Sequence, residues 1–294
     1  MVRLATVLVA LGACSYSPTA ANSEVTPDGP GLDPDGPPID MDPDPQPGDG
    51  DGDGIDDGDD SCPDDFDPNE RDHDGDGIGD PCDRCPVVMD AADPDMDGDG
   101  VGDKCDPEPN APGHTRVAFV GFFPENAALV STWTTSGSWQ ILAGQLTQTP
   151  SANVDAIVTS FDVERAFVMT RMRIDDFSST TAAAGYVLGL VGTAASPTAF
   201  HQCAISPQNG GLINAKRTGQ STGDVLAWSG SLATTTTVDM VGNLRGGQLT
   251  CKFTDATMTQ TVDTSLGTTV SGSVALLSQT AGVSYDYLFV VTGP

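Results

Sequence analysis

Basic residues are scarce in this sequence. Its 294 residues hold 12 Lys and Arg against 42 Asp and Glu, a formal charge of −30. A surface of that sign repels phosphate, which excludes nucleic acid and anionic membranes as electrostatic partners. Histidine occurs 3 times and aromatic residues make up 6% of the chain. A membrane-spanning helix is missing at the N-terminus: the apolar run from Leu4 to Ala10 is far shorter than the roughly 20 residues that cross a bilayer. Amphipathic helical stripes are missing after residue 113, which argues against a helical bundle. Glutamate is rare there too. Glu125 and Glu164 stand alone, outside any Glu-x-Asp-x-x-Glu pattern of the kind that places two carboxylates for glycoside hydrolysis, so the chain reads as a non-enzyme.

The acids that are present lie mostly at one end. Residues 1–112 hold 31 acids and 4 bases, whereas residues 113–294 hold 11 and 8. A carboxylate-rich segment therefore precedes a nearly neutral one rich in Thr, Ser and Gly. The length allows about two domains. Residues 1–13 place Arg3 before the short apolar run and end on small residues, the layout of a secretory signal. Leu11-Gly12-Ala13-Cys14 resembles the bacterial lipobox, which implies acylation of Cys14 and a lipid anchor to the membrane. Ser15, rather than Asp, follows the cysteine, which by the same resemblance implies an outer-membrane lipoprotein at the cell surface. Residues 14–48 are an acidic Pro- and Gly-rich stretch with too little apolar area to fold, so they read as an extended, disordered tether.

Residues 49–107 repeat themselves. The unit Asp-x-Asp-x-Asp-Gly-x-x-Asp-x-x-Asp occurs as Asp49, Asp51, Asp53, Asp57 and Asp60, as Asp72, Asp74, Asp76, Asp80 and Asp83, and as Asp95, Asp97, Asp99, Asp103 and Asp106. First aspartates at 49, 72 and 95 set a period of 23 residues, with Gly54, Gly77 and Gly100 in register. Carboxylates at loop positions 1, 3 and 5 converge on one point, and the glycine after them permits a left-handed turn around an ion. The seventh position (Ile55, Ile78, Val101) supplies a carbonyl. Hard oxygen donors in a flexible loop select Ca2+ over Mg2+, and the soft donors zinc prefers are missing apart from His73. An EF-hand or dockerin shares positions 1, 3, 5 and 6. It also needs a following helix, and Ser61-Cys62-Pro63 and Arg84-Cys85-Pro86 carry no helical stripe.

The stretch Asp74-Gly75-Asp76-Gly77-Ile78-Gly79-Asp80-Pro81-Cys82-Asp83-Arg84-Cys85-Pro86 resembles the thrombospondin type 3 repeat. That resemblance implies calcium loops without regular secondary structure and with almost no apolar core. It implies disulfides Cys62–Cys82 and Cys85–Cys105, and additional ligation by Asp56, Asp59, Asp64, Asp65, Asp67, Asp90 and Asp93. Repeat one departs from the others, with Asp56 where they have Gly79 and Gly102. Residues 49–106 hold 23 acids against Arg71, Arg84 and Lys104. Such a segment is expected to form a compact rod with Ca2+ and to expand without it.

From residue 114 to 294 the pattern turns to thirteen short β-branched segments, from Arg116–Phe122 to Tyr285–Thr292, separated by Gly, Asn, Asp and Ser clusters. The chain therefore reads as mostly β, its repeat segment followed by a two-sheet jelly-roll β-sandwich. Cys203 and Cys251 lie on two of these segments and are expected to pair. Trp133, Gly137, Ser138 and Trp139 leading into Gly144-x-Leu146 resemble the opening hairpin of concanavalin A-like and laminin G-like jelly rolls. Trp133, Trp139 and Trp228 are core or sugar-stacking candidates, and His201 reads as a strand residue. The expected whole is a calcium-stiffened stalk that presents an adhesion or ligand-binding head, with carbohydrate or a surface protein as its partner. A polysaccharide hydrolase and a purely structural spacer are the alternatives.

Overall fold

A computed structural model describes residues 48–149, 154–163, 165–177, 182–193, 196–206, 212–217, 224–227, 235–245, 247–265 and 271–293. Cys14, the signal and nearly all of the tether lie outside them, as do Glu164 and Trp228. Among the described residues no helix is long and apolar enough to cross a membrane.

Sixteen strands are described. In chain order the first eight are β1 (Thr115–Gly121), β2 (Thr134–Thr135), β3 (Trp139–Leu142), β4 (Gln145–Gln148), β5 (Val154–Val163), β6 (Ala166–Phe177), β7 (Ala183–Thr193) and β8 (Ser196–Ser206). The rest are β9 (Leu212–Arg217), β10 (Asp224–Ala227), β11 (Thr237–Arg245), β12 (Gln248–Thr254), β13 (Thr259–Ser265), β14 (Gly272–Gln279), β15 (Ala281–Tyr285) and β16 (Tyr287–Thr292). A 3-10 turn at Pro124–Asn126 and a single helical turn at Ala127–Val130 link β1 to β2. One sheet runs β13-β12-β11-β6-β15-β4-β3, with β16 joining β6 to β1; the other runs β10-β9-β8-β7-β14-β5-β2, and all pairings are antiparallel. The two-sheet sandwich read from the sequence is the observed architecture.

Alternation places the core between the sheets. β11 and β12 read exposed-buried along their length, and Val238, Met240, Leu244, Leu249, Cys251 and Phe253 point inward. Cys203 and Cys251 are disulfide-bonded there, with Cα atoms 5.7 Å apart. Trp133 is buried in this core edge-on to Phe122 and Phe161, and Trp139 packs against it with its indole N–H donated to Ser136 O at 2.8 Å. Both tryptophans are packing residues. Tyr285 ties the sheets together: its buried hydroxyl lies 2.6 Å from Gly185 O and 2.7 Å from Leu277 O, and accepts the Gly185 N–H at 3.1 Å.

Two differences from the sequence reading have physical causes. The expected last strand, Tyr285–Thr292, is β16 alone, and its first residue, Tyr285, closes a separate strand β15 (Ala281–Tyr285) absent from the sequence reading. The chain breaks at Asp286 because β15 and β16 pair with opposite ends of the 12-residue β6. β13 escapes a hydrophobic search because, in Thr259–Ser265, only Val262 and Thr264 are buried and the strand lies at a sheet edge.

β16 is apolar on both faces. Leu288 and Val290 enter the central core, whereas Tyr287, Phe289 and Val291 face outward and are nonetheless buried. What covers them is the repeat segment. Val87, Val101 and the Cys85–Cys105 disulfide pack on them together with Phe119, Phe167 and Met169. Within Pro43–Pro294, which forms one compact unit, the repeats thus lie along the outer face of the first sheet.

Candidate metal centre

The three acidic loops share one set of hydrogen bonds. The first aspartate of each loop accepts two glycine amides. Gly52 and Gly54 donate to Asp49, Gly75 and Gly77 to Asp72, and Gly98 and Gly100 to Asp95, all at 2.7–3.1 Å. The fifth-position carboxylates Asp53, Asp76 and Asp99 accept the amides of Ile55, Ile78 and Val101 at 2.8, 2.9 and 3.1 Å. Their second oxygens accept an amide from further on, from Asp67, Asp90 and Gly113 respectively. Both glycines of each loop have positive φ: +80° and +101°, then +80° and +96°, then +78° and +91°. The sequence reading assigned that need to the sixth position; the fourth position shares it.

This wrapping brings the first three aspartates of every loop together. Asp49, Asp51 and Asp53 each offer an oxygen, all within 4.8 Å of one another, and so do Asp72, Asp74 and Asp76 and Asp95, Asp97 and Asp99. One oxygen of the third-position residue, Oδ2 of Asp51, Asp74 and Asp97, is buried in all three loops without a hydrogen-bond partner. Burying an anionic oxygen unpaired is costly, and a cation removes that cost. Hard, oxygen-only donors fit Ca2+ in each loop.

The remaining template aspartates divide by role. Asp57, Asp80 and Asp103 clamp the loops by accepting the second-position amides of Gly50, His73 and Met96, and lie outside the triads. Asp60, Asp83 and Asp106 accept the amides of Cys62, Cys85 and Glu108. Asp60 also forms a second cluster with Asp53 and Glu70, and Asp106 forms one with Asp99 and His114. Neither Glu70 nor His114 belongs to the repeated template, so spacing alone does not find them. Of the off-template acids, Asp56, Asp59, Asp64 and Asp65 are exposed, while Asp67 is buried and Asp93 receives Arg84 at 2.9 Å.

Crowding leaves its mark on protonation. Burial, with Asp67, Asp72 and Asp83 nearby, pushes Asp80 up from 3.8 to about 7. Burial and the carboxylates of Asp74, Asp76 and Asp93 do the same to Asp83. Asp51, Asp74, Asp93 and Asp106 are raised as well, burial being the chief cause in each.

Both expected disulfides of the repeats are present, Cys62–Cys82 and Cys85–Cys105, with Cα atoms 5.7 and 5.4 Å apart. They also explain the departure of repeat one. A Cβ on Gly79 would lie 2.5 Å from Cys62 Sγ, and one on Gly102 would lie 3.2 Å from Cys85 Cβ. Among the described residues repeat one has no upstream disulfide, and Asp56 sits exposed in that place.

Polar and aromatic contacts seat the loops on the sandwich. The His73 ring meets Tyr287, Phe119 and Phe123 edge-on, with centroids 5.0, 5.7 and 6.1 Å away, and burial lowers its pKa. It serves packing rather than metal binding. Arg71 stacks over Phe123 at 4.4 Å and pairs with Glu125 at 2.7 Å, while Arg116 donates to the carbonyls of Asp83 and Pro81.

No protein-family model matches the chain, and no curated protein sequence does. Among solved structures it is similar to the carbohydrate-binding module CBM66 from Bacillus subtilis, at 14% identity over 52% of this chain and 91% of that one, with a TM-score of 0.43. It is similar to peanut lectin in complex with a 9-residue peptide, at 10% identity over 60% and 97%, with a TM-score of 0.46. It is also similar to the GH43 protein BlXynB from Bacillus licheniformis, at 12% identity over 59% of this chain and 39% of that one, with a TM-score of 0.46. The likeness is one of fold alone.

Proposed function

We propose that the chain is a calcium-binding surface protein in which three thrombospondin type 3-like loops hold Ca2+ and so fix an acidic layer onto a jelly-roll head. The observation that carries this reading is the buried, unpartnered Oδ2 at the third position of all three loops. Asp49, Asp51 and Asp53, with their counterparts in the other repeats, would hold the ions. Bound Ca2+ supplies the positive charge that offsets their mutual repulsion. The glycine amides do the rest, aiming each first carboxylate inward before an ion arrives.

The rest of the proposal follows from the sequence. Cys14 carries the lipid, residues 14–48 span the gap from an outer membrane, and the sandwich meets carbohydrate or a surface protein without turning it over. Palmitate labelling lost on Cys14→Ser, and glycan-array binding without reducing-sugar release, check these two parts.

Calorimetric titration of the full chain tests the central part. Calcium is expected to bind at a stoichiometry of at least one ion per loop, and Asp74→Asn is expected to remove at least one ion while leaving the other loops loaded. Absence of calcium binding at millimolar concentration contradicts the reading.

A further inference from the structure

The second cluster of the last repeat differs in kind from that of the first. In repeat one, Asp53 and Asp60 are completed by Glu70, an oxygen donor. The equivalent place in each repeat, 21 residues after the first aspartate and outside the aspartate template, holds Glu70, Asp93 and then Arg116. Arg116 turns away to the carbonyls of Asp83 and Pro81. In its stead, two residues earlier, His114 closes on Asp99 and Asp106. We infer that this junction is a nitrogen-containing site for a borderline transition ion, with zinc as its prototype, set apart from the calcium loops beside it. The inference rests on the reading of the repeats as cation loops, because Asp99 belongs to both clusters.

Two observations beyond the clustering itself point to an ion. His114 Nδ1 lies 3.0 Å from Asp106 Oδ1 and 3.7 Å from Asp99 Oδ2, yet makes no hydrogen bond. Oδ2 of Asp106 is likewise unpartnered, on a side chain only 1% exposed. The three groups stand within ion-pair reach but off the line of a hydrogen bond, which is how co-ligands of one ion are placed. Ligands on a tetrahedral ion with bonds of about 2.0–2.1 Å stand about 3.3 Å apart, between the two separations seen.

The site is also pre-set. The His114 and Gly113 amides both donate to Asp99 Oδ2, at 2.7 and 3.0 Å, which pins the histidine backbone to its co-ligand. The ring lies against Gly293, where a Cβ would stand 2.7 Å from Nε2. Imidazole nitrogen favours zinc and its neighbours, whereas Ca2+ takes oxygen. The ion would thus join the last repeat to the first and last strands of the sandwich.

The test titrates Co2+ into the full chain in millimolar Ca2+, following the visible d–d bands, and then displaces it with Zn2+. One equivalent per chain is expected to bind and to be lost in His114→Gln. His114→Asp, which restores an all-oxygen set, is expected to lose the zinc equivalent and gain one calcium, so the question stays answerable if His114→Gln does not fold. Failure to hold Co2+ or Zn2+ against calcium, or undiminished binding in both variants, overturns the inference. Zinc binding that depends on His114 in a chain that binds no calcium would instead sink the calcium reading and leave this one standing.

Discussion

Single carboxylates decide what this chain does with protons and metals. With the loops closed and no metal among them, burial pushes Asp80 and Asp83 up to about 7, against 3.8 in the open chain. The native state therefore holds protons that the unfolded chain has already released. Stability conferred by those protons is complete below about pH 4 and fades as pH climbs towards 7. In metal-free protein prepared by chelating resin, residues 49–106 are therefore expected to gain protease resistance at acid pH and to lose it across that window, whereas calcium-loaded protein keeps it throughout. Limited proteolysis at pH 4.5, 5.5 and 6.5 checks the sign; resistance that rises with pH in the metal-free chain contradicts it. Much of this layer was legible from residues alone, since a 23-residue period with fifteen aspartates in register has no reading as random acidity. The third-position oxygens were not. Which carboxylate oxygen is left without an amide depends on the backbone path through two left-handed glycines.

Among elements, the repeats are joined by contacts that only glycine permits. Gly79 N–H reaches Ser61 O at 3.3 Å and Gly102 N–H reaches Arg84 O at 3.1 Å, so each repeat hydrogen-bonds to the one before it. Gly79→Asp, which copies repeat one, would drive a side chain into the Cys62–Cys82 disulfide. Overpacking of this kind costs about 1–3 kcal/mol. We expect a lower thermal midpoint for the calcium-loaded variant and faster reduction of that disulfide by dithiothreitol, while Gly58→Asp, where a Cβ meets nothing within 4 Å, changes neither. The disulfide pairs themselves were readable by resemblance. Most strands were readable by β-branched alternation, with β13 lost for want of apolar residues, β2 lost because it is two residues long, and β15 missed because the break at Asp286 leaves no mark in composition. His114 is the instructive omission. It enters a repeat-three cluster from the residue just before β1, a meeting set by topology rather than spacing.

At the scale of the whole molecule, the segment read as a stalk lies along the head it was expected to carry. The continuous apolar run Tyr287–Val291 announces a strand buried on both faces, yet a sequence cannot say what covers the outer one. Here the cover is Val87, Val101 and the Cys85–Cys105 disulfide. That interface combines this apolar patch with the contacts of Arg71 and Arg116, and the layer above it is strongly acidic, so its persistence is expected to depend on charge neutralisation within the loops. On the proposed reading, calcium would govern more than the shape of residues 49–106: its removal is expected to uncover Tyr287, Phe289 and Val291. The sandwich, with its own core and the Cys203–Cys251 bridge, is expected to survive when the layer is released.

Hydrogen exchange of the full chain, with calcium and after its removal, measures this directly. With calcium, the amides of Gly52, Gly54, Gly75, Gly77, Gly98 and Gly100 are expected to exchange slowly. Without it, above pH 7, they are expected to reach free-peptide rates, while β11 and β12 stay protected. Equal protection of those six glycines in both conditions would contradict the account at its centre: the loops would then be held together by something other than the ions.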